Sequence, residues 1–364
     1  MTLKELESIS NQFCNLDKLV AFKPLASGHI NDTFLIETQK KLFFVLQRIN
    51  HGVFKDVPNL IKNKVLVSKH LKEKLSHLSQ AELKRRVLSF VETINGENYY
   101  VDSYGNYWNM MEYINDSITY QTVKSKEIAF EGGKLIGNFL NLTSDFNASK
   151  LVEVIPNFHD MSFRFSQFEA SLKNASKERL DKANNYIDIV WELKEEMHIL
   201  QHLKETGKIK VRVTHNDTKI SNVLFDKNKK GLCVIDTDTV MPGIVHYDFG
   251  DAIRTICNTA NEDEKDLNKV SFNLEYYKAY VKGFLEELNS ALTPLEIKYL
   301  PLGAKTMIFI MALRFLTDYL NNDTYYKTSY PEHNLDRSKN QFKLIESLNE
   351  QFNEMEILNN ISVK

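Results

Sequence analysis

The run Val213-Thr-His215-Asn216-Asp217-Thr-Lys-Ile-Ser-Asn222-Val-Leu-Phe225, followed after a short turn by Val234-Ile-Asp236-Thr-Asp238, is the stretch that decides how the rest of the chain is read. In phosphoryl transfer, an Asp on a loop orients an acceptor hydroxyl and takes its proton. An Asn shortly after it and a carboxylate at the end of the next strand hold magnesium against nucleotide phosphates. The apolar run Asn222-Val-Leu-Phe, the charged turn Asp226 to Gly231 and the apolar run Leu232-Cys-Val-Ile read as a β-hairpin between buried strands. Such a hairpin brings Asn222 and Asp236 together. Loop Asp and Asn residues commonly do no more than make turns. Here the His-x-Asp, the Asn at its offset and the strand ending in Asp occur in order, which favours a phosphoryl-transfer site.

Upstream, from Val20 to Ile114, the pattern is mostly of strands: Phe34 to Thr38, Lys41 to Ile49, Val87 to Thr93, Tyr99 to Val101 and Tyr107 to Ile114, with turn residues between. Between the early and late runs, Val57 to Leu78 places Leu60, Ile61, Val65, Val67, Leu71 and Leu75 near helical spacing, with lysines between them. The expectation is a five-stranded antiparallel sheet with one helix in residues 1–114. After Asn115-Asp-Ser the periodicity turns helical, through 126–142, 163–203, 274–288, 294–300, 304–320 and 335–358. Residues 115–364 therefore read as a larger, mainly helical lobe that carries the His215 loop and its hairpin. The fold class expected is α+β and two-lobed, with a nucleotide held in the cleft between the lobes.

Composition agrees with two lobes, because 364 residues exceed the roughly 250–300 at which a single core stops growing. Lys and Arg number 46 against 48 Asp and Glu, a net charge of −2, which gives no overall pull toward nucleic acid or an anionic membrane. Lys84-Arg-Arg86 reads as a helix–strand junction and Lys227 to Lys230 as a solvated turn. Cys14, Cys233 and Cys257 are odd in number and lack metal spacing, as expected of reduced thiols in a cytoplasmic protein. The acidic start Met1-Thr-Leu-Lys-Glu-Leu-Glu does not suggest a signal peptide. The most apolar segment, Met307 to Leu316, is read as shorter than a bilayer span and contains Arg314. No membrane partner is expected.

With these motifs in hand, the chain resembles the aminoglycoside phosphotransferase and choline kinase superfamily, which has the two-lobed protein-kinase-like fold. Within it, the chain looks most like bacterial N-acetylhexosamine 1-kinases. The resemblance runs through Ser27 to Thr33, Val45-Leu-Gln-Arg-Ile-Asn50, His215 to Lys219, Ile235 to Gly243, Tyr247-Asp-Phe-Gly-Asp-Ala-Ile-Arg254, Leu313 to Leu320 and His333-Asn-Leu-Asp-Arg337. It implies Asp217 as catalytic base, Asn222 and Asp236 as Mg2+ ligands and His215 as a loop-shaping residue. Asp238 is implied as support for a second metal or the phosphates, and Asp248 as a hydrogen-bonding brace of the catalytic loop. The loop around Gly28, His29 and Asn31 would approach the phosphates of ATP or the acceptor, although a hairpin turn has the same composition. The backbone of Glu112, Tyr113 and Ile114 would meet the adenine edge, unless it is simply a strand end.

One departure stands out, since kinase-like enzymes usually carry a Lys on the third strand and this chain has Gln47 followed by Arg48. Strand alternation sends these two to opposite faces, so only one reaches the nucleotide. In the helix spanning 304–320, Arg314 sits within an apolar run and must have a partner if it is not exposed. It either pairs with Asp318 one turn on or, joined by Asp318 or Tyr325, donates to sugar hydroxyls. The resemblance favours the second. It implies an ATP- and Mg2+-dependent kinase of the anomeric hydroxyl of N-acetylglucosamine or N-acetylgalactosamine. The alternatives are a kinase of another small alcohol, of aminoglycoside, choline or homoserine type, or a kinase-like binding protein without activity. Hexosamine preference and oligomeric state stay open.

Overall fold

The structure is a computed structural model that describes residues 1–14, 16–25 and 30–361. Gly28 and His29, expected near the phosphates, lie outside the described residues.

The first lobe is built on a five-stranded antiparallel sheet: β1 (Leu19–Pro24), β2 (Asp32–Thr38), β3 (Phe43–Ile49), β4 (Tyr100–Val101) and β5 (Tyr107–Glu112), in the order β1-β2-β3-β5-β4. Alternation along β3 sends Phe44 and Leu46 into a core shared with Trp108, Met110 and the helix α1 (Leu3–Ser10), while Val45 and Gln47 face the interlobe cleft. Two more helices follow β3, α2 (Val57–Lys74) and α3 (Gln80–Arg86). Both begin on side-chain caps. Asp56 accepts from Asn59 N, and Ser79 with Glu82 forms a capping box.

Two sequence expectations change here. Residues 87–93, read as a strand, make only isolated bridges, Phe90 to Met111 and Phe13 to Thr93; the fifth strand is instead Leu19–Pro24, while the expected run at Tyr99 to Val101 forms a strand over Tyr100–Val101. The single expected helix is accompanied by α1 and α3, which are too short for periodicity to declare them.

The second lobe comprises α4 (Lys126–Leu142), α5 (Met161–Asn174), α6 (Lys177–Met197), α7 (Ile199–Glu205), strands β6 (Arg212–Thr214), β7 (Val223–Phe225), β8 (Gly231–Val234) and β9 (Met241–Gly243), then α8 (Val245–Ile256), α9 (Leu274–Leu288), α10 (Pro294–Lys298), α11 (Leu300–Leu320), α12 (His333–Asn349) and α13 (Phe352–Ile361). The hairpin β7–β8 forms as expected, with Val223 opposite Val234 and Leu224 opposite Cys233. Helix α11 is the axis of this lobe, with nearly every residue from Leu300 to Leu320 buried. At 21 residues it is long and apolar enough to cross a membrane, which corrects the shorter apolar segment read from sequence, but it is wrapped by protein. Its N-terminal half touches α8 backbone to backbone. A Cβ at Gly250 would stand 2.2 Å from Gly303 O. Only glycine permits that approach, and it sets α8, with Asp248 in its first turn, beneath the loop that carries Asp217.

Candidate active site

The chain leaving β6 turns sharply at Asn216, whose φ of 65° is left-handed. Such a conformation costs free energy and persists where its surroundings over-determine it. Here the buried carboxylate of Asp248 accepts from His215 N and Asn216 N, both at 2.7 Å. His215 Nε2 meets Ile235 O at 2.9 Å, and Thr239 Oγ1 donates to His215 O at 2.6 Å. Burial pushes the Asp248 carboxyl up to about 6, against the pull of His215 and the two amides. Asp217 emerges from this brace half-exposed. Asn222 Nδ2 donates to its Oδ2 at 2.8 Å, and Lys219 Nζ stands 2.9 Å from the same oxygen. Burial alone would raise the Asp217 carboxyl, but Lys219, His215 and Asn222 together outweigh it and hold the group below its usual value, as an ionised base requires.

Asp236 follows β8, also in a left-handed conformation, with φ 58°. Its carboxylate accepts no hydrogen bond from any described residue. Burial first, then the charges of Asp238 and Asp217, push it up to about 7. The amide nitrogen of Asn222 is taken up by Asp217, so its oxygen is the free atom. Asn222 Oδ1 and the Asp236 carboxylate are hard oxygen donors, and a divalent cation between them would remove the repulsion that raises Asp236. Among the described residues no three His, Cys, Asp or Glu side chains group around a metal position. The donor set therefore fits a cation completed by phosphate oxygens, the usual arrangement for magnesium.

The question of Gln47 or Arg48 has a third answer. Gln47 faces the cleft, whereas Arg48 lies on the other face, paired with Asp32 and over the Trp108 ring. The cation beside Gln47 in the cleft is Lys64 of α2. It is 2% exposed, ion-paired with Asp238, and has Gln47 Oε1 at 3.4 Å. Asn31 Nδ2 donates to the other oxygen of Asp238, and Asn31 Oδ1 accepts from Asn50 N at 2.7 Å. Asn31, Gln47, Lys64 and Asp238 thus form one buried network spanning both lobes. Lys64→Met leaves Asp238 buried without its counter-charge. We expect a loss of roughly 3–5 kcal/mol of stability, with part of it recovered in Lys64→Met/Asp238→Asn, read from melting curves of the two variants. A melt unchanged by Lys64→Met would contradict the pairing.

The cleft cavity, about 310 Å3, runs from Asp217 and Asp236 past Lys64 to the linker at Glu112, Tyr113 and Ile114. The amides of Glu112 and Tyr113 are spent on Ser89 O and Phe43 O, at 2.9 and 3.1 Å, so of these three the Ile114 amide is the one left without a partner among the described residues. The Glu112 side chain points away to Lys84 at 3.0 Å.

A second interlobe cavity of about 430 Å3 is lined by Gly52, Arg164, Arg314, Thr317, Tyr325 and Tyr326, among others. Arg314 does not pair with Asp318. The Asp318 carboxylate instead accepts from Tyr325 N at 2.8 Å, Tyr326 N at 2.9 Å and Asn334 Nδ2 at 2.9 Å, pinning the loop after α11. Three good donors outcompete one salt bridge that would have to form on a helix surface. The Arg314 guanidinium lies about 5.4–5.8 Å from the ring centres of Phe158, Tyr325 and Tyr326 and makes no ion pair with a described residue. His159, buried between Phe158 and Tyr247, feels the charges of Arg314 and Arg164 on one side and Asp217 on the other, so this cavity adjoins the catalytic loop. If Asp318 shapes the cavity through that loop, Asp318→Asn should raise the Michaelis constant for the acceptor at least several-fold and leave that for ATP unchanged. Equal effects on both would point to general destabilisation.

Sequence reading missed Lys64, Lys219 and Arg164. Lys219 was visible inside the Asp217 loop. Lys64 left a fainter trace, a lysine between Ile61 and Val67 on the apolar face of its helix. Arg164, four residues after Asp160, carried no signal.

The description of the phosphotransferase enzyme family (APH) matches residues 21–281. Among solved structures, a microcompartment-associated aminopropanol kinase is similar with a TM-score of 0.60 at 13% identity, covering 98% of this chain and 99% of its own. Choline kinase from Cryptosporidium parvum Iowa II gives 0.59 at 14% identity, with 100% of both chains covered. Spectinomycin phosphotransferase in complex with ADP and its antibiotic gives 0.60 at 11%, covering 97% and 99%. At such identities the likeness is one of fold.

Proposed function

The chain belongs to the phosphotransferase enzyme family, and from that premise we propose that it is an ATP- and Mg2+-dependent kinase that phosphorylates the anomeric hydroxyl of an N-acetylhexosamine. Asp217 accepts the proton of the attacking hydroxyl, and its pairing with Lys219 keeps it ionised until the acceptor arrives. Asn222 and Asp236 would hold the magnesium ion, which neutralises charge on the phosphates when bound. Lys64, anchored to Asp238, supplies the cation that the third strand lacks, and Ile114 offers its amide to the adenine. No covalent enzyme intermediate is required.

The observation that carries the choice of acceptor is the second cavity. Solved structures of similar fold are named for aminopropanol, choline and spectinomycin, two of them small amino alcohols. An ammonium group calls for a carboxylate or an aromatic cage open to it. In this cavity the aromatic rings are already occupied by Arg314, and both oxygens of Asp318 are spent on the loop. Guanidinium and hydroxyl donors are left, suited to the lone pairs of a neutral polyol. A panel of N-acetylglucosamine, N-acetylgalactosamine, choline, ethanolamine and an aminoglycoside, each with ATP and Mg2+, tests this. We expect turnover with an N-acetylhexosamine, and turnover confined to the cationic acceptors would refute it.

A further inference from the structure

We propose that Arg164 is a specificity-determining residue of the acceptor cavity, one of two guanidiniums that together turn away a protonated amine and so select the acetylated, neutral form of an amino sugar. This rests on the sugar-kinase reading and extends it to a discrimination that reading leaves open.

Arg164 lies in the first turn of α5 and lines the same cavity as Arg314. Its own partners are neutral: Nη1 donates to Gln167 Oε1 at 2.8 Å and Nη2 to Phe158 O at 2.6 Å, while Nε is buried without a partner. Burial, followed by the charge of Arg314, brings its guanidinium down to about 10. The two cations act on each other, and neither makes an ion pair with a described carboxylate.

The other groups facing Arg164 are Tyr325, Tyr326, His159 and Asp160. Burial, then the two arginines, hold His159 down to about 3, so it is neutral and offers no counter-charge. Asp160 caps α5, accepting from Phe163 N at 2.7 Å. Asp318 has both oxygens committed to the loop. Asp160 does not line the cavity, so an incoming ammonium would find two guanidiniums and, in the lining, only the committed carboxylate of Asp318. The amide of an N-acetyl group carries no such penalty, and its carbonyl oxygen is a lone-pair acceptor for the unpartnered Arg164 Nε–H. By Coulomb's law, one unit charge about 8 Å from another at an effective dielectric near 20 changes binding by roughly ten- to thirty-fold.

The test is the ratio of kcat/KM for N-acetylglucosamine to that for glucosamine, measured with the full chain across a pH range that titrates the glucosamine amine. In the parent protein the ratio should be high at low pH and shrink as the amine loses its proton. Arg164→Gln keeps hydrogen-bonding capacity but not charge, and should lower the low-pH ratio about ten-fold. Arg164→Lys should keep it. A ratio unaffected by Arg164→Gln in a protein that melts normally would overturn the proposal. So would a preference for the acetylated sugar that ignores pH, because that is the mark of shape and not of charge. If neither sugar is phosphorylated, the sugar reading fails separately, and the ratio is taken for ethylene glycol over ethanolamine. An unmoved ratio there, or no uptake of either, overturns the role given to Arg164.

Discussion

Asp217→Asn is expected to lower kcat by about 10²–10⁴-fold while changing ATP affinity little. The substitution keeps the size of the side chain, and Asn222 and Lys219 still have an oxygen to meet, so the loop braced by Asp248 should hold its shape. The loss is the carboxylate that takes the proton of the acceptor hydroxyl. Lys219, released from its ion pair, stays in the cleft and adds positive charge near the phosphates, so nucleotide binding should not fall. Single-turnover kinetics with independently measured ATP binding separates these effects. A parallel loss of ATP binding would make Asp217 a metal or structural residue instead.

Asp236→Ala should abolish transfer at any practical Mg2+ concentration, since it leaves Asn222 as the sole protein ligand. It should also do something that a mere disruption would not. The Asp236 carboxyl is pushed up to about 7 by burial and by Asp238 and Asp217. A carboxyl raised on folding binds its proton more tightly in the native state. Its contribution to stability is therefore whole below the unfolded carboxyl's range, near pH 4, and is lost as pH rises through about 7. Without metal, the inactive Asp236→Ala protein should accordingly melt at a higher temperature than its parent at pH 8, and the difference should narrow toward pH 5. Thermal melts at the two pH values, in chelator, decide it. A variant that retains turnover, or one that melts lower at pH 8, would contradict the metal assignment.

What the sequence disclosed follows the locality of each interaction. The hairpin β7–β8 joins neighbours in the chain, so turn chemistry and two apolar runs sufficed to bring Asn222 to Asp236. The brace of the catalytic loop by Asp248 spans about thirty residues, and only the resemblance pointed to it. The cation beside Gln47 could not be read in this way. Alternation along β3 correctly made Gln47 and Arg48 alternatives, but Lys64 reaches Asp238 across 174 positions, and its helix shows only a lysine where an apolar face would prefer none. The acceptor cavity fell short for a similar reason. Helical spacing made Asp318 the natural partner of Arg314, and nothing local reveals that the loop at Tyr325 and Tyr326 folds back to claim it. Strand reading erred at 87–93, where β-rich composition meets too few partners to form a ladder.

The most direct test of the whole account is transfer from ATP to N-acetylglucosamine or N-acetylgalactosamine, set beside the corresponding methyl glycoside, whose anomeric oxygen is blocked. With Mg2+ present, the free sugar should yield the 1-phosphate, identified by phosphorus–proton coupling to the anomeric centre, and the methyl glycoside should yield nothing. Phosphorylation of the methyl glycoside would move the transfer to another hydroxyl. Activity on choline or an aminoglycoside with none on either sugar would contradict the acceptor assignment altogether.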